Sequence, residues 1–462
     1  MVEHRFWGGS SPYQDLTTKN LQQLTLKNSI ADFVKIAADV KLPFDLTGAG
    51  SNAKQAPWIF AGGSYSGSMA AWTESTSPGT FWAYHASSAP TQAISDYWQY
   101  FSPIQQGMPK NCSRDLSNVI NYIDRTLTKG SQREQYELKQ KFGLGSLQND
   151  DFGQVIEYGP WEWQSNTFTT GYSQFFQFCD AIEGVGPYAD SVSATSGSNK
   201  PGKGGKPGSA PGKPGKPETG ADLQTSLDGY AKFVKEAVVP DFCSGFGYTE
   251  PNSLACFDTH NKNNLIFTDR TVYNNIDRQW QWMLCNEPFG WWQEYVFPSS
   301  SPTHPLFTAC ILLMTTSGAP QGTPSIVSRL IKPSYWTRQC ELFFPREGAY
   351  TYGLKLGKTE AQLNAYTGGW KTRNSKRLLY VNGQFDPWKT AGVSSEYRPG
   401  GPLQSTPEVP VLVIPGGFHC SDLRLSNAAA NDGVAAVVDS AVDILKTWAR
   451  EFYTEKGQTA KF

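Results

Sequence analysis

Apolar residues recur along this chain in two rhythms, and the changes between them mark its elements. From about Leu24 to Val40 the residues Leu26, Ile30, Phe33, Val34, Ile36 and Ala37 return every three or four positions, which predicts an amphipathic helix. Short continuous apolar runs follow at 58–61, 80–86, 378–381 and 411–414, each ending in Gly, Ser or Pro punctuation. Runs of that length and flanking predict strands with both faces buried. Between Pro90 and Leu378 the period is mainly helical, with Trp, Tyr and Phe scattered through it. From about Asn431 to Tyr453 the helical stripe returns as Val434, Val437, Val438, Ala441, Leu445 and Trp448.

Strands on either side of a long helical stretch predict an α/β fold in three parts. Residues 1–90 and 371–462 supply the sheet, and residues 91–370 form a large helical cap inserted between sheet strands. Inside that cap, 191–220 is a low-complexity stretch of Gly, Pro and Lys carrying five lysines. Such a stretch cannot bury enough apolar surface to offset its ordering entropy, so a disordered loop is expected there. It lacks a strict Gly-X-Y repeat, which excludes collagen.

Composition narrows the function classes. The formal net charge of −1 and the lack of a basic stripe with interleaved aromatics argue against nucleic acid. No apolar run approaches the roughly 20 residues of a membrane helix, and the N-terminus shows no charged-then-apolar leader. With 15 Trp, 21 Tyr and 26 Phe, large cores and an aromatic cleft are expected. The eight cysteines form no C-x-x-C pair, which argues against a zinc site, and no metal or cofactor is expected. They are compatible with disulfides in a secreted protein, although a cytosolic protein of this size could carry as many free, and Asn111-Cys112-Ser113 is a glycosylation sequon if the chain is secreted.

The chemistry concentrates where strands end. Gly62-Gly63-Ser64-Tyr65-Ser66-Gly67 follows the run 58–61 and precedes the helix-forming Met69-Ala70-Ala71-Trp72. Strand, glycine turn with serine, then helix is the setting of a nucleophile elbow. The pattern G-x-S-x-G is met at Gly62 and Ser64, with Ser66 at the last position. The elbow would aim the Tyr65 N–H at a developing oxyanion. Of five histidines, only His419 follows a strand and a Gly-Gly turn, and Asp386 follows the strand 378–381. The chain order Ser64, Asp386, His419 is that of α/β-hydrolases, and the three are expected within hydrogen-bonding reach at one rim of the sheet. Asp422 is a rival acid that would also suit a helix start, while His4, His85, His260 and His304 read as structural or surface residues.

These segments resemble a known family. Gly62-Gly63-Ser64-Tyr65, Asn382-Gly383-Gln384-Phe385-Asp386-Pro387-Trp388 and Gly417-Phe418-His419-Cys420-Ser421-Asp422-Leu423 are similar to the serine peptidases that include prolyl carboxypeptidase and dipeptidyl peptidase II. Glu3-His4-Arg5-Phe6-Trp7-Gly8, Ser88-Ala89-Pro90 and Cys285-Asn286-Glu287 extend the likeness along nearly the whole chain, and Ser66 with the Cys-Asn-Glu-Pro-Phe run looks most like the fungal acid prolyl endopeptidase branch. The resemblance implies an α/β-hydrolase that cleaves on the carboxyl side of proline, at acidic pH, in an extracellular or vacuolar setting. It maps nucleophile, acid and base to Ser64, Asp386 and His419, and implies a Cys285–Cys340 bridge and a tryptophan, Trp388, at the proline pocket. Ser68 would shape the same pocket, and Glu287 would bind a substrate terminus or stabilise the cap. It also implies that Met1 to Arg5 begins where a central strand ends, so that earlier strands and a second oxyanion donor belong ahead of Met1. The rival expectations are an esterase on the same scaffold and an inactive truncated remnant that at most binds peptides.

Overall fold

The computed structural model describes residues 1–46, 50–188, 221–291, 318–372 and 374–460. The low-complexity stretch 191–220 and His304 lie outside them. Four strands form one parallel sheet in the order β1 (Ile59–Gly63), β2 (Ala83–Ser87), β3 (Leu378–Gly383), β4 (Val411–Ile414). Each strand starts or ends within a few residues of its apolar run. β2 begins at Ala83 rather than Thr80 because the chain turns there, with the Thr80 and Trp82 amides bonded to Ser77 and Trp58 carbonyls. The chain is a mixed α/β protein.

Strand alternation divides the sheet between two cores. Tyr84, Ala86, Leu378 and Tyr380 point into the larger one with most of the helices. Ala83, Leu379, Val381 and Ile414 point into a smaller one against the C-terminal helix. β3 is buried along its whole length, as expected of an inner parallel strand.

Helix α1 (Leu26–Asp39) starts at Thr25, whose hydroxyl accepts from the Asn28 amide. Helix α2 (Tyr65–Thr76) makes the crossover from β1 to β2 and is buried along Gly67–Glu74. Between β2 and β3 the described elements are all helical; they include α3 (Lys110–Lys129), α4 (Asn149–Ile156), α5 (Gln174–Ile182), α6 (Leu223–Phe233), α7 (Arg278–Asn286) and α8 (Pro333–Phe343). Among the described residues three disulfides tie this region: Cys112–Cys179, Cys243–Cys256 and Cys285–Cys340. Helix α9 (Asp432–Glu455) is capped by the Asn431 side chain, and Val434, Ala441 and Trp448 of its stripe pack under the sheet. No helix among the described residues is long and apolar enough to cross a membrane.

Candidate active site

Ser64 occupies the single residue between β1 and α2, with φ 57° and ψ −129°. A non-glycine residue reaches that backbone region only under constraint from its surroundings. The constraints are visible in two glycines. A Cβ on Gly62 would lie 2.2 Å from the Ser66 carbonyl oxygen, and one on Gly67 would lie 2.6 Å from that of Ser87. The tight contact after the serine therefore falls on Gly67, whereas Ser66 faces outward. This is why a serine is tolerated where the motif has glycine. The Ser64 amide donates to Ser87 O at 2.9 Å, fixing the elbow to β2. Tyr65 is the first residue of α2, so its N–H has no carbonyl one turn back and points from the positive helix end.

Asp386 and His419 come together as a buried pair. Asp386 follows β3 and caps the short helix Pro387–Ala391: its Oδ1 accepts from the Trp388 amide at 3.0 Å. The same Oδ1 lies 2.9 Å from His419 Nδ1, and both side chains are almost fully buried. With Asp386 ionised, Nδ1–H donates to it and the base lone pair is left on Nε2. Backbone bonds lace the two loops together, from Gln384 N to Ile414 O at 3.0 Å and from Phe385 N to Gly417 O at 2.9 Å. Gly383 allows this approach, since a Cβ there would sit 2.3 Å from Phe418 O.

The Ser64 hydroxyl is buried and makes no hydrogen bond among the described residues. The segments nonetheless meet at one rim: Ser64 N bonds to Ser87, and Cys420 N bonds to the Ser88 hydroxyl at 2.8 Å. The rival acid Asp422 is engaged elsewhere, 3.0 Å from His85 Nε2 and 2.5 Å from the Ser87 hydroxyl. His85, read from the sequence as structural or surface, is thus an inner-strand residue with a carboxylate partner.

The remaining candidates have defined places. Trp388 is fully buried, its indole N–H donating to Gln164 Oε1 at 2.7 Å and its ring 6.4 Å from the His419 ring. Tyr97, Tyr100 and Trp291 surround it. Ser68 has no exposed surface; its hydroxyl donates to Pro90 O at 2.8 Å, so it braces the elbow helix rather than lining an open pocket. Glu287 is buried, accepts from the first amide of α1 (Leu26 N, 3.3 Å) and faces Lys358 at 3.4 Å. Burial, the larger influence, raises its pKa against the opposing pull of Lys358. Asn111 is half-buried in the first turn of α3, beside the disulfide residue Cys112.

Several neighbours had no role assigned from the sequence. His4 Nε2 lies 3.3 Å from the Tyr65 hydroxyl, Trp7 packs edge-on to His4, and the Trp7 indole donates to Asp277 at 3.2 Å. Burial lowers the His4 pKa and pushes Asp277 up to about 6. Gln164 joins Trp388 and Tyr100 through one oxygen. The strand period alone could have put His85 and Ser87 on one face, but not named Asp422 as their partner. Asp150, Asp151 and His260 cluster with metal-ligand side-chain types; Arg338 Nη2 sits 3.2 Å from both Asp150 and His260 and takes the cation's place.

Comparison with known proteins shows a family relationship. The sequence profile of the family described as serine carboxypeptidase S28 matches residues 1–159 and 242–438. The serine protease vicPb of Bipolaris victoriae (strain FI3) is 38% identical over 463 residues, covering 99% of this chain and 77% of that protein. A probable extracellular serine carboxypeptidase of Arthroderma benhamiae is 29% identical, covering 91% of this chain and 52% of the relative. The thymus-specific serine protease of Homo sapiens is 24% identical, covering 97% and 73%.

Proposed function

We propose that this chain, which belongs to the serine carboxypeptidase S28 family and is a serine peptidase, hydrolyses peptide bonds on the carboxyl side of proline through Ser64, Asp386 and His419. The observation that carries the reading is the buried 2.9 Å His419–Asp386 pair laced to the rim that holds the strained Ser64. Ser64 Oγ adds to the scissile carbonyl carbon as His419 Nε2 takes its proton. The carbonyl oxygen becomes an oxyanion that accepts from the Tyr65 N–H. Collapse breaks the C–N bond, and His419 returns the proton to the leaving amine. Water then adds to the acyl-Ser64 ester by the same proton route and frees the acid and the serine. Asp386 holds the imidazole in the tautomer the base needs.

A prolyl residue offers a rigid ring and no N–H, so its recognition must come from apolar packing. The indole of Trp388, 6.4 Å from the His419 ring and packed among Tyr97, Tyr100 and Trp291, supports that preference as a buried aromatic backing to the site. The helical stretch 91–370, flanked by sheet parts 1–90 and 371–462 of an α/β-hydrolase, would act as a cap over the cleft. Its three disulfides suit an extracellular setting.

The test compares two fluorogenic peptides that differ only in proline or alanine before the scissile bond, with fluorophosphonate labelling alongside. The expected result is a kcat/KM at least about 100-fold higher for proline and labelling that vanishes in Ser64→Ala. Equal rates for the two peptides would remove the proline assignment. Full turnover by Ser64→Ala would remove the mechanism.

A further inference from the structure

The end of β2 and the residue after it, Ser88, touch every segment that carries a proposed catalytic side chain. On one side Ser87 O accepts from Ser64 N at 2.9 Å. On the other, Ser88 N donates to Val381 O of β3, the strand that leads to Asp386, at 2.7 Å. The third segment is gripped by side chains. The Ser88 hydroxyl accepts from Cys420 N at 2.8 Å, and Asp422 receives the Ser87 hydroxyl at 2.5 Å and faces His85 Nε2 at 3.0 Å. His85 and Ser87 are two apart on β2, so they share one face and reach the two oxygens of one carboxylate.

The grip is dry. Ser87 and Ser88 are buried, and the Asp422 side chain is 3% exposed. Ser88 at φ 47° and Cys420 at φ 52° join Ser64 in backbone conformations disfavoured for non-glycine residues. Such conformations persist where surrounding contacts over-determine them. Inside the loop, Phe418 N donates to the Ser421 hydroxyl at 2.9 Å, closing a turn around His419.

We infer that His85, Ser87, Ser88 and Asp422 are positioning residues that set His419 against Ser64, by fastening the chain just after the histidine to the strand end that also holds the elbow. The inference rests on the proposed triad. Asp386 fixes the imidazole's rotation through Nδ1, and the grip fixes where its backbone stands relative to β2. A shift of about 1 Å in such a group can cost about 100-fold in rate.

The experiment uses the full chain and the fluorogenic proline peptide, and measures kcat, KM, fluorophosphonate labelling rate and thermal midpoint. Asp422→Ala is expected to lower kcat and labelling by about 30- to 100-fold, with KM within about 2-fold. Asp422→Asn can still accept from Ser87 and donate to a neutral His85, so it should restore kcat to within about 5-fold. Ser88→Ala, which removes one buried acceptor, should lower kcat by about 3- to 10-fold. Parent kcat in folded Asp422→Ala, or losses that track only the folded fraction, would overturn the inference. If Asp422→Ala does not fold, Ser88→Ala and Asp422→Asn decide: parent kcat in Ser88→Ala overturns it, and a kcat loss there with good rescue by asparagine sustains it. Ser64→Ala and His419→Ala in the same assay separate the two levels. Activity in those variants removes the triad itself, whereas their inactivity beside normal Asp422 and Ser88 variants removes only the positioning role.

Discussion

All three described disulfides lie between residues 112 and 340, in the helical stretch, while the strands and the loops bearing Ser64, Asp386 and His419 are joined by a backbone ladder. A parallel ladder fixes its partners in two-residue steps, and a slip would turn every inner side chain to the wrong core. Ser64, Asp386 and His419 inherit that fixed register because each follows a strand of one sheet. Helices packed only by side chains have no such register, and their cross-links act chiefly by limiting the unfolded chain. The contrast implies that geometry for chemistry and stability of the helical region can be damaged separately.

The largest expected effect lies in the sheet half. Ser64→Ala and His419→Ala should each lower kcat by at least about 10⁴-fold, with the thermal midpoint within about 2 °C of the parent. A large stability loss in either would mean that the reactive side chains also hold the fold, which would blur the contrast. Next is Gly62→Ala, whose new Cβ would meet the Ser66 carbonyl 2.2 Å away. It should open the elbow, lower fluorophosphonate labelling by at least about 100-fold and cost about 1–3 kcal/mol. Normal labelling rates would show that the elbow is less constrained than its contacts imply.

The helical half should behave in the opposite way. Replacing Cys285 and Cys340 together by alanine is expected to cost about 2–4 kcal/mol of stability. The kcat of the protein that stays folded should change by less than about 3-fold, measured by active-site titration. A fall in kcat as large as that of the Asp422 variant would couple the two halves.

A smaller effect comes from pH. Burial pushes Glu162, in the helical half, up to about 7 from an ordinary 4.5, and Asp277 up to about 6 from 3.8. In each case the folded form holds its proton more tightly than the unfolded chain. Their stabilisation is therefore full below the unfolded pKa and is lost as pH rises through about 4–7. Both residues keep some contact with solvent, so Glu162 should account for about 1–2 kcal/mol. The thermal midpoint should be higher at pH 4.5 than at pH 7.5, and Glu162→Gln should narrow that gap. An unchanged gap would exclude Glu162 as a source. The smallest effect is Tyr65→Phe. It removes the hydroxyl beside His4 and keeps the backbone N–H, so kcat should stay within about 3-fold. A loss of 100-fold would move the oxyanion role to the side chain.

What is local was legible from residue order alone. Four apolar runs and two amphipathic stripes located the strands and the first and last long helices to within a few residues, because burial periodicity is written residue by residue. The glycine turns around Ser64 and before His419 were legible for the same reason: their backbone shapes restrict which residues can stand there. Tertiary structure decided what depends on contacts across the chain. Asp386 and Asp422 both stand close in sequence or context to His419; strand context and chain order favour Asp386, but no local signal makes the contact itself. The parallel register, which sets the β3 loop against the β4 loop and His85 and Ser87 beneath Asp422, brings each acid to its partner. Trp388 and Ser68 follow the same rule. Their types fit a pocket, but packing against Gln164 and Pro90 places them inside. A side chain's type limits the bonds it can make, and the folded chain's long-range packing decides which partner is present to make them.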